Sequence, residues 1–333
     1  MRVIRGRRPW SATQGQRRVP SRSLRNGVPV VLHCVALVGL AALCAVGCGA
    51  RRVEAAAPDQ IRTFQFAGLA RNYLVHVPAG RPVGLVLNLH GGGGTGAGQR
   101  GLTGFDTAAD TADLVVVYPD GYEQSWADGR GAAPADRRHL DDVGFLVALA
   151  GKIRDEFDIP AGHVFATGMS NGGFMVDRLA CDRADIFAAI APVTGTLGAG
   201  ISCRPTQPVS VLAAHGTHDP TVPFDGGEVH GRGGLTHSIG ALSLVEMWRS
   251  ADKCRSDPVM QRLPDVGDGT SVRRFDSVSC AASTGVVFYQ IDNGGHTWPG
   301  GRQSEARSTV GLTTRAFDAS EVIAQFFLTH GRN

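Results

Sequence analysis

Apolar and polar residues alternate through Thr63–Phe66 and again through Tyr73–Val77, which predicts two antiparallel strands with Gly68 and Asn72 in their connection. From Pro82 to Leu89 the chain is continuously apolar. That is the pattern of a strand covered on both faces. Further strands are predicted at Leu114–Tyr118, Val164–Thr167, Phe187–Val193, Val209–Ala214 and Val286–Ile291. Between them run helical patterns. Asp142–Phe157 places Phe145, Leu146, Leu149 and Ile153 on one face, a second helix starts at Asn171, and a third spans Ser238–Ala251. Asp318–Leu328 closes the series, with Asp318 and Glu321 spaced as a capping box. Strand and helix alternation of this kind predicts an α/β fold: a mostly parallel central sheet with helices on both faces. Asp265–Thr270 reads as a surface loop.

Composition changes this picture little, with 43% hydrophobic and 19% charged residues over 333 positions. Charge changes it more. Eight arginines lie between Arg2 and Arg25, and removing them turns the net charge of +3 into −5. The body is mildly acidic, which disfavours a nucleic-acid partner. The arginine-rich start is followed by an apolar run from Val28 to Val46. Residues 1–48 therefore read as a signal peptide, residues 49–60 as an alanine-rich linker and residues 61–333 as the catalytic domain. Ala45-Val46-Gly47-Cys48 resembles a lipobox, which makes Cys48 the candidate lipidation site and a lipid anchor the expected route to a membrane. Plain secretion and a retained anchor are the competing readings.

Cys181, Cys203, Cys254 and Cys280 lie in the body, an even number in a chain read as exported, which predicts two disulfides. Their spacing fits no zinc motif. Three pairings are possible. Cys181 ends the helix that starts at Asn171, and one short crossover separates it from Cys203. The Val272–Phe275 segment folds back toward the helix end that carries Cys254. The expected bridges are thus Cys181–Cys203 and Cys254–Cys280.

The chemistry centres on Gly168-Met169-Ser170-Asn171-Gly172, set between a strand and a helix. This is the sequence of a nucleophile elbow, a tight turn that raises a serine hydroxyl above the sheet edge. A Cβ at either glycine would collide with a neighbouring element. A serine nucleophile needs a base, an acid that orients it, and oxyanion donors. Of His215, His218, His230, His237, His296 and His330, His296 is the candidate base, on the glycine-rich loop after the last strand. Asp219 is the candidate acid, after the strand Val209–Ala214, in a loop stiffened by Pro220 and Pro223. Asp142 and Asp292 are weaker rivals. The order Ser170, Asp219, His296 is that of the α/β-hydrolases. Candidate oxyanion donors are the N–H groups of Asn171 and Gly92, with Gly91 as the alternative; no Gly-Lys-Ser/Thr follows to make a phosphate loop. Trp126 and Trp298 follow strand ends and are candidate substrate-binding walls, with core packing as the competing reading.

Taken together, His90-Gly91-Gly92-Gly93-Gly94, Tyr118-Pro119-Asp120-Gly121, Asp141-Asp142-Val143-Gly144-Phe145, Gly168–Gly173 and Gly295-His296-Thr297-Trp298-Pro299 resemble the polyhydroxybutyrate depolymerase-like esterases. That family is similar to the feruloyl and acetylxylan esterases of carbohydrate esterase family 1. The resemblance runs from about Arg62 to Leu328. It implies an α/β-hydrolase fold, secretion as an exported lipoprotein type, no cofactor, and hydrolysis of hydroxyalkanoate, feruloyl or acetyl esters in a polyester oligomer or acylated carbohydrate. The chain lacks the linker and polymer-binding domain of extracellular depolymerases, which counts against crystalline polyester as substrate. A serine peptidase on the same fold and a non-catalytic carbohydrate-binding lipoprotein are the rival functions.

Overall fold

The computed structural model describes residues 61–332 apart from residue 232. The expected signal peptide, linker and Cys48 lie outside the described residues. In chain order the elements are β1 (Arg62–Phe66), β2 (Leu69–His76), β3 (Gly84–Leu89), α1 (Gly96–Thr103), α2 (Phe105–Thr111), β4 (Leu114–Pro119), α3 (Pro134–Arg137), α4 (Asp142–Glu156), β5 (Val164–Met169) and α5 (Asn171–Asp182). There follow β6 (Ala189–Val193), β7 (Ser210–Gly216), β8 (Gly226–Gly231), β9 (Gly234–Ile239), α6 (Ala241–Ala251), β10 (Val259–Arg262), β11 (Ser271–Ser277), β12 (Val286–Asp292), α7 (Arg307–Val310) and α8 (Ala319–Thr329).

Ten strands form one sheet in the order β1-β2-β4-β3-β5-β6-β7-β12-β11-β10. The six central strands, β4 to β12 in that order, run parallel. Antiparallel pairs close both edges. This is the α/β-hydrolase architecture. Side chains alternate across the central strands. Leu85, Leu87 and Leu89 enter one core with Leu149 of α4, Met175 and Leu179 of α5 and Trp248 of α6. Val86 enters a second core with Phe105 of α2 and Ile323 and Phe327 of α8. The chain leaves β3 toward β4 on one side and returns to β5 on the other. The carboxyl ends of β3 and β5 therefore flank a topological switch point, where folds of this kind open a crevice.

Several element boundaries differ from the sequence reading. Asn72 lies within β2, opposite Thr63, because the β1–β2 loop has only two residues. Ala67 and Gly68 there take φ of 47° and 80°, the left-handed pair that a tight hairpin turn requires. The third helix starts at Ala241, since Ser238 pairs with Gly227 in the β8–β9 hairpin. β6 begins at Ala189, two residues after Phe187. Both expected disulfides are formed, Cys181–Cys203 and Cys254–Cys280, across sequence separations of 22 and 26 residues.

Opening Cys181–Cys203 by replacing both cysteines with alanine should cost about 3 kcal/mol, by the loop-closure entropy released in the unfolded chain. Denaturant titration checks it; an unchanged midpoint would refute that assignment of stability. A second prediction concerns Asp252. Its side chain is fully buried and accepts the Val209 N–H at 3.0 Å. Burial, partly offset by that bond, raises its carboxyl to about 6. A group raised in the folded state favours folding below its ordinary pKa of about 3.9 and loses that contribution as pH climbs through the folded value. Asp252→Asn should therefore raise Tm at about pH 8 by more than at about pH 4. Calorimetry at the two pH values decides it, and an equal shift at both would contradict the titration.

Candidate active site

The site begins with a steric demand. Ser170 sits between β5 and α5 at φ 56°, ψ −122°, a backbone conformation that a non-glycine residue adopts only when its surroundings impose it. Those surroundings are the end of β3. A Cβ on Gly172 would lie 2.3 Å from Leu89 O, and one on Gly168 would lie 2.8 Å from the same oxygen. The turn closes only because both are glycine. The Ser170 N–H donates to Val193 O at 3.0 Å, which ties the turn to β6.

Asp219 and His296 come together from the ends of β7 and β12. His296 Nδ1–H donates to Asp219 Oδ2 at 2.8 Å. Asp219 Oδ1 also accepts the N–H groups of Thr221 and Val222, at 2.8 and 2.9 Å. Burial alone would raise Asp219, but the His296 charge and hydrogen bond, the neighbouring His215 and the Val222 N–H outweigh it and hold the carboxyl below its ordinary value. His296 and Ser170 line the same cavity of about 510 Å³. Among the described residues no hydrogen bond joins Ser170 Oγ to His296, although Asp219 already holds the ring. Such contacts commonly tighten only with substrate in place.

The loop His90–Gly94 forms another wall of that cavity. His90 is buried. Its Nδ1–H donates to Gly91 O at 2.8 Å, and its Nε2 accepts the Gly121 N–H at 2.9 Å. One nitrogen donates and the other accepts, so the ring is neutral, and burial lowers its pKa accordingly. Gly91 O also accepts the Gly94 N–H at 3.0 Å. In a trans peptide the N–H points opposite the carbonyl, so these two bonds turn the Gly92 N–H away from His90. Gly91 abuts the serine: a Cβ there would lie 3.3 Å from Ser170 Cβ. Neither the Gly92 nor the Asn171 N–H has an acceptor among the described residues.

The two tryptophans are not cavity walls. Both are 0% exposed. Trp298 turns into the core on the α8 side, where its Nε1–H donates to Ser320 Oγ at 3.1 Å. Trp126 turns inward as well, with Nε1–H donating to His90 O at 2.9 Å. The strand-end position gave the location of each indole but not its direction. The rival acids are accounted for elsewhere. Asp142 pairs with Arg71 at 3.0 Å and accepts the Ala127 N–H at 2.8 Å; Asp292 pairs with Arg273. Of the other histidines, His215 is buried beside Asp219 with Nδ1–H bonded to Gly216 O, and His230 lies at the cavity rim. His218 meets Thr217 Oγ1, His237 lies in β9, and His330 stacks on Phe326.

Sequence reasoning passed over Asp128 and the β8–β9 hairpin. Asp128 accepts from Asn171 Nδ2 at 2.6 Å and from Arg130 Nη2 at 2.7 Å. Its position two residues after Trp126 was the available signal. The hairpin covers the cavity through Val229, His230 and Thr236. Among the described residues no group of histidine, cysteine and acidic side chains is arranged to hold a metal ion.

Known proteins share this chain's sequence over most of its length. The chain is 32% identical over 298 residues to "Putative esterase NocK" of Nocardia uniformis, covering 84% of this chain and 85% of that one. It belongs to the same family of serine esterases, in the feruloyl esterase-like group of α/β-hydrolases. Feruloyl esterase C of Emericella nidulans is 28% identical over 260 residues, covering 75% of this chain and 82% of that protein. Feruloyl esterase B of Piromyces equi is 27% identical over 241 residues, covering 68% of this chain and 42% of that longer protein. No family model matches the chain.

The glycine requirement at the turn is directly testable. Gly172→Ala should destabilise the esterase by about 2 kcal/mol or more, since the new methyl meets backbone rather than a flexible side chain. Gly151→Ala, on α4 with open space around it, should be neutral or slightly stabilising. Thermal melts of the two variants give the comparison, and equal Tm values would contradict the steric account.

Proposed function

We propose that this esterase hydrolyses carboxylic esters through an acyl-enzyme formed on Ser170. The observation that carries the reading is the presence in one cavity of Ser170, on its strained turn, and His296, whose other nitrogen is bonded to Asp219. His296 Nε2 takes the Ser170 proton as Oγ attacks the ester carbonyl, then returns it to the leaving alcohol. Asp219 keeps His296 in the tautomer with Nδ1 protonated and stabilises the imidazolium. The N–H groups of Gly92 and Asn171 receive the oxyanion, for which their lack of other acceptors suits them. Water then attacks the acyl-enzyme by the same steps in reverse.

For the substrate, the reading is an ester bearing hydroxyl groups, such as a feruloylated or acetylated carbohydrate or a hydroxyalkanoate oligomer. Polar side chains line the cavity, Gln99, Arg130, Asp136 and Gln303 among them, which suits a substrate that carries hydroxyl groups. The feruloyl esterases among the relatives favour the first of these substrates. The reading also places the mature protein outside the cytoplasm. Two disulfides support an oxidising compartment, while lipidation at Cys48 rests on the sequence of residues 45–48 alone.

Ser170→Ala should lower kcat for p-nitrophenyl acetate by roughly 10⁴-fold or more while Tm changes little. Fluorophosphonate should label the wild type and not the variant. A folded variant with near-full activity would falsify the assignment. Parallel rates on methyl ferulate, acetylated xylan and 3-hydroxybutyrate oligomers rank the substrates.

A further inference from the structure

The two proposed oxyanion donors come from different parts of the chain, the loop after β3 and the first turn of α5. Catalysis depends on the distance between them, because both must reach one oxygen. Neither segment bonds the other directly through these N–H groups. Trp126 hydrogen-bonds both. Trp126 Nε1–H donates to His90 O at 2.9 Å, the peptide immediately before Gly91. Trp126 N–H donates to Asn171 Oδ1 at 2.8 Å, and Trp126 O accepts from Asn171 Nδ2 at 3.2 Å. The indole also lies against the His90 ring, with centroids 4.9 Å apart.

We propose that Trp126 is the positioning residue that sets the span of the oxyanion site, with Asp128 fixing the Asn171 amide that Trp126 engages. Asp128 is buried and takes the remaining Asn171 Nδ2–H at 2.6 Å, while Arg130 grips the carboxylate through Nε and Nη2. Arg130 is itself held, with its guanidinium 3.6 Å from the Phe174 ring centroid and Nη1 donating to Thr236 Oγ1 of β9 at 3.2 Å. Asn171 thus has every side-chain polar group committed and cannot rotate without breaking a bond to Trp126 or Asp128. The two donor segments pack on each other at Gly91 and Gly172, and the loop Trp126–Asp128 adds a hydrogen-bonded clamp to both.

The inference rests on Ser170 acting with Gly92 and Asn171 as proposed above. Trp126→Phe keeps an aromatic ring and deletes the bond to His90 O. It should lower kcat roughly tenfold to a hundredfold, the scale of a donor misplaced by a fraction of an ångström to an ångström, with KM within about threefold of wild type. The inhibition constant of phenylboronic acid, which forms a tetrahedral adduct on the serine, should rise in proportion to the loss of kcat/KM. Trp248→Phe is the control. Trp248 is equally buried and donates Nε1–H to Asp177 Oδ1 at 3.0 Å, on α6 and away from the cavity. It should lower Tm comparably and leave kcat near wild type. Asp128→Asn provides a second, isosteric variant should Trp126→Phe fail to fold. In either orientation its amide sets an NH2 group against donors, the Arg130 N–H and Nε–H that now meet Oδ1 or the Asn171 Nδ2–H and Arg130 Nη2–H that now meet Oδ2, so kcat should fall with KM again little changed. If the Trp126 or Asp128 variant keeps kcat within twofold of the Trp248 control, or loses kcat without losing boronate affinity, the positioning role is wrong. If the wild type is not labelled at Ser170 by fluorophosphonate, the parent reading fails and this one with it.

Discussion

Everything at the candidate site depends on how closely the turn after β5 approaches the end of β3. Gly172 packs against the carbonyls of Leu89 and His90, and Gly168 against Leu89. No side chain fits in that gap. The approach forces Ser170 to positive φ, aims α5 back along the sheet and brings the His90–Gly94 loop alongside the serine. The strain at one residue is borne by a core that surrounds it on both faces of the sheet. Burial of the large side chains of α4, α5 and α6 on one face and α2 and α8 on the other offsets the cost of this one unfavourable backbone conformation.

The same turn shows why much of the site was legible in the amino-acid sequence. A glycine required by backbone contact, a continuous apolar strand before it and a helical stripe after it are local signals. The disulfide pairing was legible for a related reason, since each bridge joins segments separated by one short excursion of chain. What was not legible depends on long-range direction. The β8–β9 hairpin is Gly226-Gly227-Glu228-Val229-His230-Gly231 and its partner strand, mostly exposed, so it lacks the apolar alternation that marks a half-buried strand. Helix α1 contains three glycines and few apolar residues; it forms because Thr95 caps it and Gly96 packs directly on Tyr118 O. The sequence places Trp126 and Trp298 beside the site, yet only tertiary packing decides that both indoles face inward.

The chain from Trp126 to Asp142 poses the remaining physical problem, because a loop that enters the interior carries backbone groups with no strand to pair with. Side chains take the place of that strand. Asn171 meets the N–H and carbonyl of Trp126, Asp142 meets the Ala127 N–H, Asp136 meets the Gly129 N–H, and Asp128 meets the Arg130 N–H. Three of these four partners are carboxylates, and burying them requires compensation. Arg71 supplies it for Asp142, lying 4.4 Å from the Phe145 ring centroid, and Arg130 supplies it for Asp128 against Phe174. An apolar loop of the same volume would pack without those costs. It would leave the Trp126 and Ala127 backbone unpaired and would give Asn171 nothing to hold. The buried ion pairs here are thus better understood as fixing the path of one loop than as net sources of stability, and that path adds hydrogen bonds to the β3 end and the first turn of α5 where the two already pack together.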